Sequence, residues 1–413
     1  MSFLRVWHEE QLVGILSGTR DKVSFQYDPD WTQNGFALSL AMPLREESYG
    51  DEATRAYFSN LMPEEHILAM LCRSGKMAGH DLMSFFRLYG RECAGAIALS
   101  EGENPPSENG EERDVTDQVQ EYLAGKTGGP LPLAVRSRLS LAGAQDKLPV
   151  VIRHGRLLLS SGSSTHIIKP DISGYPHSAR NEHFCLEFSA AMGCETVKSR
   201  LMQFAEGEVL AISRYDRRVE NGQVILLHQQ DFCQALGLPP VCKYQGQGEF
   251  FGFPHMLQVC RDNDIPVGEF FARARILNWI IGNCDAHAKN FSLVACENGL
   301  SLAPFYDVLC TAIYPGLDKE MGTAFGRHIL REDVDEGDLR GEDVGIDDEE
   351  HRMLARQMAE SGADIASGIA RAHGRIYGSC EAIGKIVDEI AASCGKMLSL
   401  TEKISYSLRP HGI

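Results

Sequence analysis

The 413-residue sequence has no CxxC pair: its twelve cysteines run from Cys72 to Cys394, and no two are closer than nine residues. That spacing excludes the common zinc and dithiol redox motifs. Without a disulfide framework in so long a chain, buried free thiols in a reducing cytosol are expected. No apolar run approaches the ~18 residues of a membrane span, Ile276 to Ile281 being the most apolar stretch, and the opening MSFLRVWHEEQLVG lacks the basic start and apolar core of a signal peptide. A soluble cytoplasmic protein without membrane contact is expected. There is no basic excess either: net charge is −17 and the pI is 5.3, so autonomous nucleic-acid binding has no electrostatic support. The acidity is local. Residues 101–130 hold eight acids and two bases, residues 331–350 hold eleven and two, and the rest of the chain carries only about −2. GxGxxG, Walker and HExxH patterns and internal repeats are all missing.

What is present is length enough for two or three folding units at roughly 150 residues each. Short strand-like runs at Phe3–Trp7, Leu12–Leu16 and Val23–Tyr27, then a helical stretch from Asp51 to Cys72, predict a small α+β unit over 1–100. The Pro-, Gly- and acid-rich residues 101–130 predict a linker or loop. A β-rich part over 131–227 comes next, with runs at Leu148–Ile152, Leu157–Leu159, Thr165–Lys169, Val197–Phe204 and Glu208–Tyr215 and one helix at Asn181–Met192. Residues 228–413 are mostly helical in pattern, with an acidic loop.

The sharpest chemical signal is Asp285-Ala-His-Ala-Lys-Asn290 after a helical stretch, Glu269–Asn283. Phosphoryl transfer needs a carboxylate to take the attacking hydroxyl's proton and an amide oxygen on magnesium, and protein kinases carry both on one loop, five positions apart. The hexapeptide alone fits a turn-making loop equally well. The residues downstream of it add weight: Phe291–Cys296, an Asn298-Gly299 turn and Leu300–Ala303 predict a hairpin that delivers Asp307, a second metal carboxylate in the kinase arrangement. Upstream, Lys169 ends a strand and Glu182 extends the buried stripe of the next helix, the pair that kinases use to hold phosphates. Each alone also fits a surface charge; their order relative to Asp285 and Asp307 decides. Ser140-Leu-Ala-Gly-Ala-Gln-Asp-Lys147 has small residues that would let backbone N–H groups approach a phosphate, and it also fits an ordinary turn.

These segments, with Ser213-Arg-Tyr-Asp216, Asp231-Phe-Cys-Gln234 and Pro304-Phe-Tyr-Asp307, together resemble the HipA-type serine/threonine kinase toxins of bacterial toxin-antitoxin modules, over nearly the whole chain. The resemblance implies a two-lobed α+β, kinase-like fold with a small N-terminal α+β subdomain, a β-rich ATP lobe and a helical catalytic lobe. It implies ATP and Mg2+ as cosubstrates and a protein target, typically an aminoacyl-tRNA synthetase. It also implies a helix-turn-helix, HipB-like antitoxin through which DNA is met only indirectly. By this resemblance Asp285 is the catalytic base, Asn290 and Asp307 are metal ligands, and Lys169, paired with Glu182, contacts phosphate. Ala142, Gly143, Ala144, Gln145, Asp146 and Lys147, with Ser213, Arg214, Tyr215 and Asp216 and with His287, Lys289 and Tyr306, are nucleotide-binding. Ser140 matches a serine that these kinases phosphorylate on themselves. Ser213 departs from a glutamate in the family pattern, and a hydroxyl is a poorer acceptor; Tyr306-Asp307-Val308 replaces the kinase Asp-Phe-Gly. A metal hydrolase built on Asp285 and His287 lacks a ligand set. A catalytically weak kinase-like corepressor, acting through antitoxin and operator DNA, is the alternative.

Overall fold

The computed structural model describes residues 2–63, 67–69, 71, 81–106, 112–127, 131, 145–159, 164–245 and 252–407. Ser140, Ala142, Gly143 and Ala144 lie outside them. Two compact units emerge, each built from three chain segments: unit 1 from residues 1–172, 198–240 and 292–301, unit 2 from 173–197, 241–291 and 302–413.

Unit 1 begins with a four-stranded antiparallel sheet in the order β3-β2-β1-β4, formed by β1 (Ser2–His8), β2 (Gln11–Gly18), β3 (Val23–Tyr27) and β4 (Ala98–Ser100). Its inward residues, among them Leu4, Val6, Leu16 and Phe25, are fully buried against helices α1 (Pro29–Asn34), α2 (Asp51–Ser59) and α3 (Leu82–Tyr89). The helix expected to run from Asp51 to Cys72 stops at Ser59: the Asn60 amide donates back to the Ala56 carbonyl and across to that of Leu238, and Pro63 lies just beyond.

The second sheet of unit 1 has the order β5-β7-β6-β8-β10-β9, from β5 (Arg113–Asp114), β6 (Leu148–Arg153), β7 (Arg156–Leu159), β8 (His166–Lys169), β9 (Ser199–Phe204) and β10 (Gly207–Ser213). Part of the expected linker is therefore structure. Residues 113–123 supply the edge strand β5 and helix α4 (Thr116–Leu123), because Val115 and Val119, one turn apart, are fully buried against Leu148, Val150 and Val209. Lys169 faces Leu210 in the register and Ser213 faces His166, so both lie on the neighbouring strands β8 and β10, three residue pairs apart. Hairpin β11 (Arg217–Glu220) and β12 (Gln223–Leu226) precedes the sheet β13-β14-β15, made by β13 (Gln229–Asp231), β14 (Ser292–Cys296) and β15 (Gly299–Leu302). That pairing draws residues 229–240 into unit 1, beyond the boundary expected at 227. The Asp231 to Gln234 motif is a capping box that starts α6 (Phe232–Leu236): each side chain accepts the other's backbone N–H.

Unit 2 is mainly helical, with α5 (Ser178–Ala191), α7 (Phe253–Asp262), α8 (Phe270–Ile281), α9 (Asp348–Tyr377) and α10 (Glu381–Ser407). A hairpin absent from the expectation, β16 (Glu320–Phe325) and β17 (His328–Leu330), joins them. Asp347 and Glu350 form the capping box of α9, and Gly282, at φ +76°, closes α8 in the left-handed conformation that glycine adopts without cost. Among the described residues no helix is long and apolar enough to cross a membrane, and the described cysteines are free thiols, most of them buried.

Candidate active site

The Asp285 loop starts where α8 ends. Gly282 turns the chain, its carbonyl accepts the N–H groups of Thr311 and Ala312, and the Thr311 hydroxyl accepts the Cys284 N–H at 2.8 Å. The Asp285 N–H donates to Asn283 Oδ1 at 3.1 Å. Within the loop, Asn290 Nδ2 donates to the Asp285 carbonyl at 2.8 Å. This bond explains the spacing of five. The amide nitrogen clamps the turn, and Oδ1 is the atom that Asn290 could offer to a cation.

Two neighbouring segments hold this loop in place. The Gly322 N–H on β16 donates to the Cys284 carbonyl at 2.8 Å, and the Ala288 N–H donates to the Lys243 carbonyl at 3.0 Å. A β-carbon on Gly322 would stand 2.7 Å from the Ala286 carbonyl carbon, so the close approach requires glycine there. Tyr244 Oη donates to Asp285 Oδ1 at 2.5 Å while the Asp285 side chain stays nearly half exposed. The His287 ring, buried 3.9 Å from Asp285 Oδ1 and edge-on to Tyr244, is kept neutral: burial, then the Lys243 and Lys289 ammonium groups, push its pKa well below the usual histidine range.

Asp307 arrives by a different route. Phe305 stacks on Phe270 with ring centroids 4.5 Å apart and exchanges backbone hydrogen bonds with Glu195 and Val197. Tyr306 Oη donates to the Lys289 carbonyl at 2.7 Å, tying the Asp307 segment to the Asp285 loop. Asp307 itself takes φ +54°, a left-handed conformation that aspartate tolerates better than most residues. Beyond it, Asn181 on α5 accepts the Cys310 N–H and donates to the Cys310 carbonyl. The expected residues Asp285, His287, Lys289, Asn290, Tyr306 and Asp307 thus come together in unit 2. Tyr244, Gly322 and Asn181 complete their setting and were missed; only Gly322, a glycine in a strand pattern, carried a local signal.

In unit 1, Lys169 is buried on the sheet face opposite Ile168, and the Gln145 amide donates to the carbonyl of Pro170, the next residue along. Lys147 leads into β6. Asp146 accepts from Tyr122 Oη and the Leu131 N–H. Glu182 is buried on α5, in unit 2. Ser213 and Tyr215 are partly exposed, and Tyr215 Oη donates to Gln229. Arg214 and Asp216 depart from the expected nucleotide contact. Asp216 accepts from Arg214 Nε at 2.9 Å and Nη2 at 2.7 Å, from the Gly95 N–H at 2.8 Å, and pairs with Arg217 at 3.1 Å, while Arg214 also donates to Glu92 at 2.7 Å. Burial alone would raise the Asp216 pKa; the two guanidinium groups outweigh it and hold it below the usual carboxylate range. Both side chains are spent in the core, because four buried charges must satisfy one another.

The donor set of Asn290 and Asp307 is all oxygen, the chemistry that a hard cation such as Mg2+ takes. The buried lysines, Lys243 and Lys289 of unit 2 and Lys169 of unit 1, carry positive charge suited to phosphate.

Such a site on a mixed α+β frame defines a protein of the kinase-like class. The HipA N-terminal domain matches residues 4–100 and the HipA-like C-terminal domain residues 139–366, and the chain belongs to the HipA family. It is similar to a protein of Sinorhizobium fredii named as a kinase, Y4mE, with 30% identity over 94% of this chain and 96% of that one. It is also similar to the serine/threonine-protein kinase toxin HipA of Shewanella oneidensis, with 28% identity over 76% of each. The solved complex of Shewanella oneidensis HipA with HipB and operator DNA contains a chain of the same fold, with TM-score 0.82, 23% identity, and coverage of 97% of this chain and 99% of that one.

Proposed function

We propose that the protein is an ATP- and Mg2+-dependent serine/threonine protein kinase that acts as a toxin. The observation that carries the reading is the loop in which Asn290 clamps the Asp285 backbone while the Asp285 carboxylate stays nearly half exposed beside the buried His287 ring. Asp285 takes the proton of the attacking hydroxyl, and Asn290 and Asp307 hold the metal. Bound Mg2+ would neutralise charge on the phosphates. Lys169, with Glu182 as its ion-pair partner, Lys147, Lys289 and the 140–147 loop hold the nucleotide, and Ser213 and Tyr215 flank its base. Residues 131–227 serve the nucleotide and 228–413 the chemistry.

The target is a bacterial protein, an aminoacyl-tRNA synthetase by family resemblance, whose phosphorylation stops translation. A HipB-like antitoxin restrains the kinase and brings it to DNA. Phosphorylation of Ser140 switches the enzyme off by adding about −1.5 to −2 charge beside the nucleotide. Transfer of the γ-phosphate of ATP to protein is expected to fall about 10²- to 10⁴-fold in Asp285→Asn, and unpartnered expression is expected to slow growth unless Asp307 is changed to Asn, a residue that keeps the left-handed backbone. Equal toxicity of accumulated Asp307→Asn protein points to the corepressor reading instead.

A further inference from the structure

Away from the Asp285 loop, α5 and α9 bring three potential ligands to one point. His183 and Glu187 are one helical turn apart on α5, and His373 comes from α9. His373 Nε2 lies 2.6 Å from Glu187 Oε2, His183 Nε2 lies 3.8 Å from Glu187 Oε1, and the three ligand atoms are all within 4.8 Å of one another. Both imidazoles are nine-tenths or more buried and stack at 5.1 Å, whereas Glu187 is about half exposed. A hydrogen bond between the helices needs one imidazole; here two turn the same nitrogen toward one carboxylate.

We propose that His183, Glu187 and His373 form a site for a borderline divalent cation of the zinc type, separate from the kinase chemistry and independent of that reading. Tetrahedral Zn2+, with bonds of about 2.0–2.2 Å, sets its ligand atoms about 3.3 Å apart, inside the range already spanned here. Two imidazoles disfavour Mg2+, which prefers oxygen. The exposed side of Glu187 leaves a fourth position for water, and Tyr377 Oη, 3.5 Å from His183 Nε2, borders the site. The ion would clip α5 to α9. Asn181, which holds the chain beyond Asp307 through Cys310, lies just ahead of His183 on the same helix, so the clip would steady that clamp.

The test uses the full-length protein, stripped with EDTA and titrated with Zn2+ against a chromophoric chelator. Wild type should bind one more Zn2+ per chain than His183→Gln or His373→Gln, and Glu187→Gln should bind that ion about tenfold or more weakly. Zn2+ should raise the Tm of wild type but not of the histidine variants, and Co2+ should give tetrahedral visible bands that His373→Gln lacks. Glu187→Gln alters a solvent-facing group, so it decides the matter if a histidine variant fails to fold. Equal stoichiometry and affinity in wild type and Glu187→Gln overturns the proposal, and so does loss of the ion in Asp307→Asn, which would assign it to the kinase carboxylates.

Discussion

Two charged clusters of this molecule have similar ingredients and opposite characters. Around Arg214, in unit 1, Glu92, Asp216 and Arg217 are buried and bonded to one another, and the Asp216 side chain is only 7% exposed. Around Asp285, in unit 2, lysines, a histidine and carboxylates converge again, yet the Asp285 side chain is 46% exposed and the Asn290 amide is turned to the backbone. The first arrangement closes its charges on themselves and gains a fixed structure. The second ties down backbone and ring by hydrogen bonds and leaves a carboxylate open to solvent, which is what the proposed general base would require.

The sharpest way to break this contrast is a paired experiment. Arg214→Ala leaves Glu92 and Asp216 buried and short of a partner, and is expected to cost about 3–5 kcal/mol in urea unfolding. Asp285→Asn should change stability by less than about 0.5 kcal/mol while abolishing most phosphotransfer. A reversal of these two profiles would refute the division between structural and chemical charge.

Gly322→Ala tests how much the open cluster depends on its support. The added carbon meets the Ala286 backbone, so a loss of about 1–3 kcal/mol is expected, with a greater fall in kcat than in nucleotide affinity.

A smaller effect should accompany a change of pH. His228, buried in unit 1 with Nε2 2.8 Å from the Leu38 carbonyl, has its pKa pushed down to about 4, first by burial. Between about pH 6.5 and 4 the unfolded chain binds a proton that the fold excludes. The contribution is therefore complete above pH 6.5 and is lost on acidification, to the extent of about 1–3 kcal/mol. Urea midpoints at pH 7 and pH 5 should differ less in His228→Gln than in wild type. Smallest of all, Tyr244→Phe removes one hydrogen bond to Asp285 and should lower kcat two- to tenfold, about 0.5–1.5 kcal/mol, with stability nearly unchanged.

Legibility in the sequence tracked the range of the interactions. The strands from Ser2 to Tyr27, the strand that ends in Lys169, the helix carrying Glu182 and the Asp285–Asn290 loop with its hairpin all rest on local pattern, and the structure has them within a few residues. The Asn181 clamp on Cys310 spans 129 positions, the Arg214 bond to Glu92 spans 122 and Tyr244 to Asp285 spans 41, so no window of sequence contains both partners. Arg214 and Asp216 could be placed beside a strand end, but whether they faced a ligand or the core depended on Glu92, far upstream. The misread linker failed differently: the Val115 and Val119 stripe was there, diluted by the acids around it.

The threading of the two units bears on how the chain is made. Unit 1 closes only when residues 292–301 add β14 and most of β15, and unit 2 only when α9 and α10 follow. A ribosome that has delivered the first 172 residues has exposed β6, β7 and β8 without β10, the strand that covers β8. That unpaired edge must wait through the synthesis of α5 before β9 and β10 arrive, an interval in which a chaperone or a second nascent chain can reach it. No single cut yields a self-sufficient half, so the setting of the Asp285 loop would stay incomplete until the helices α9 and α10 have been made.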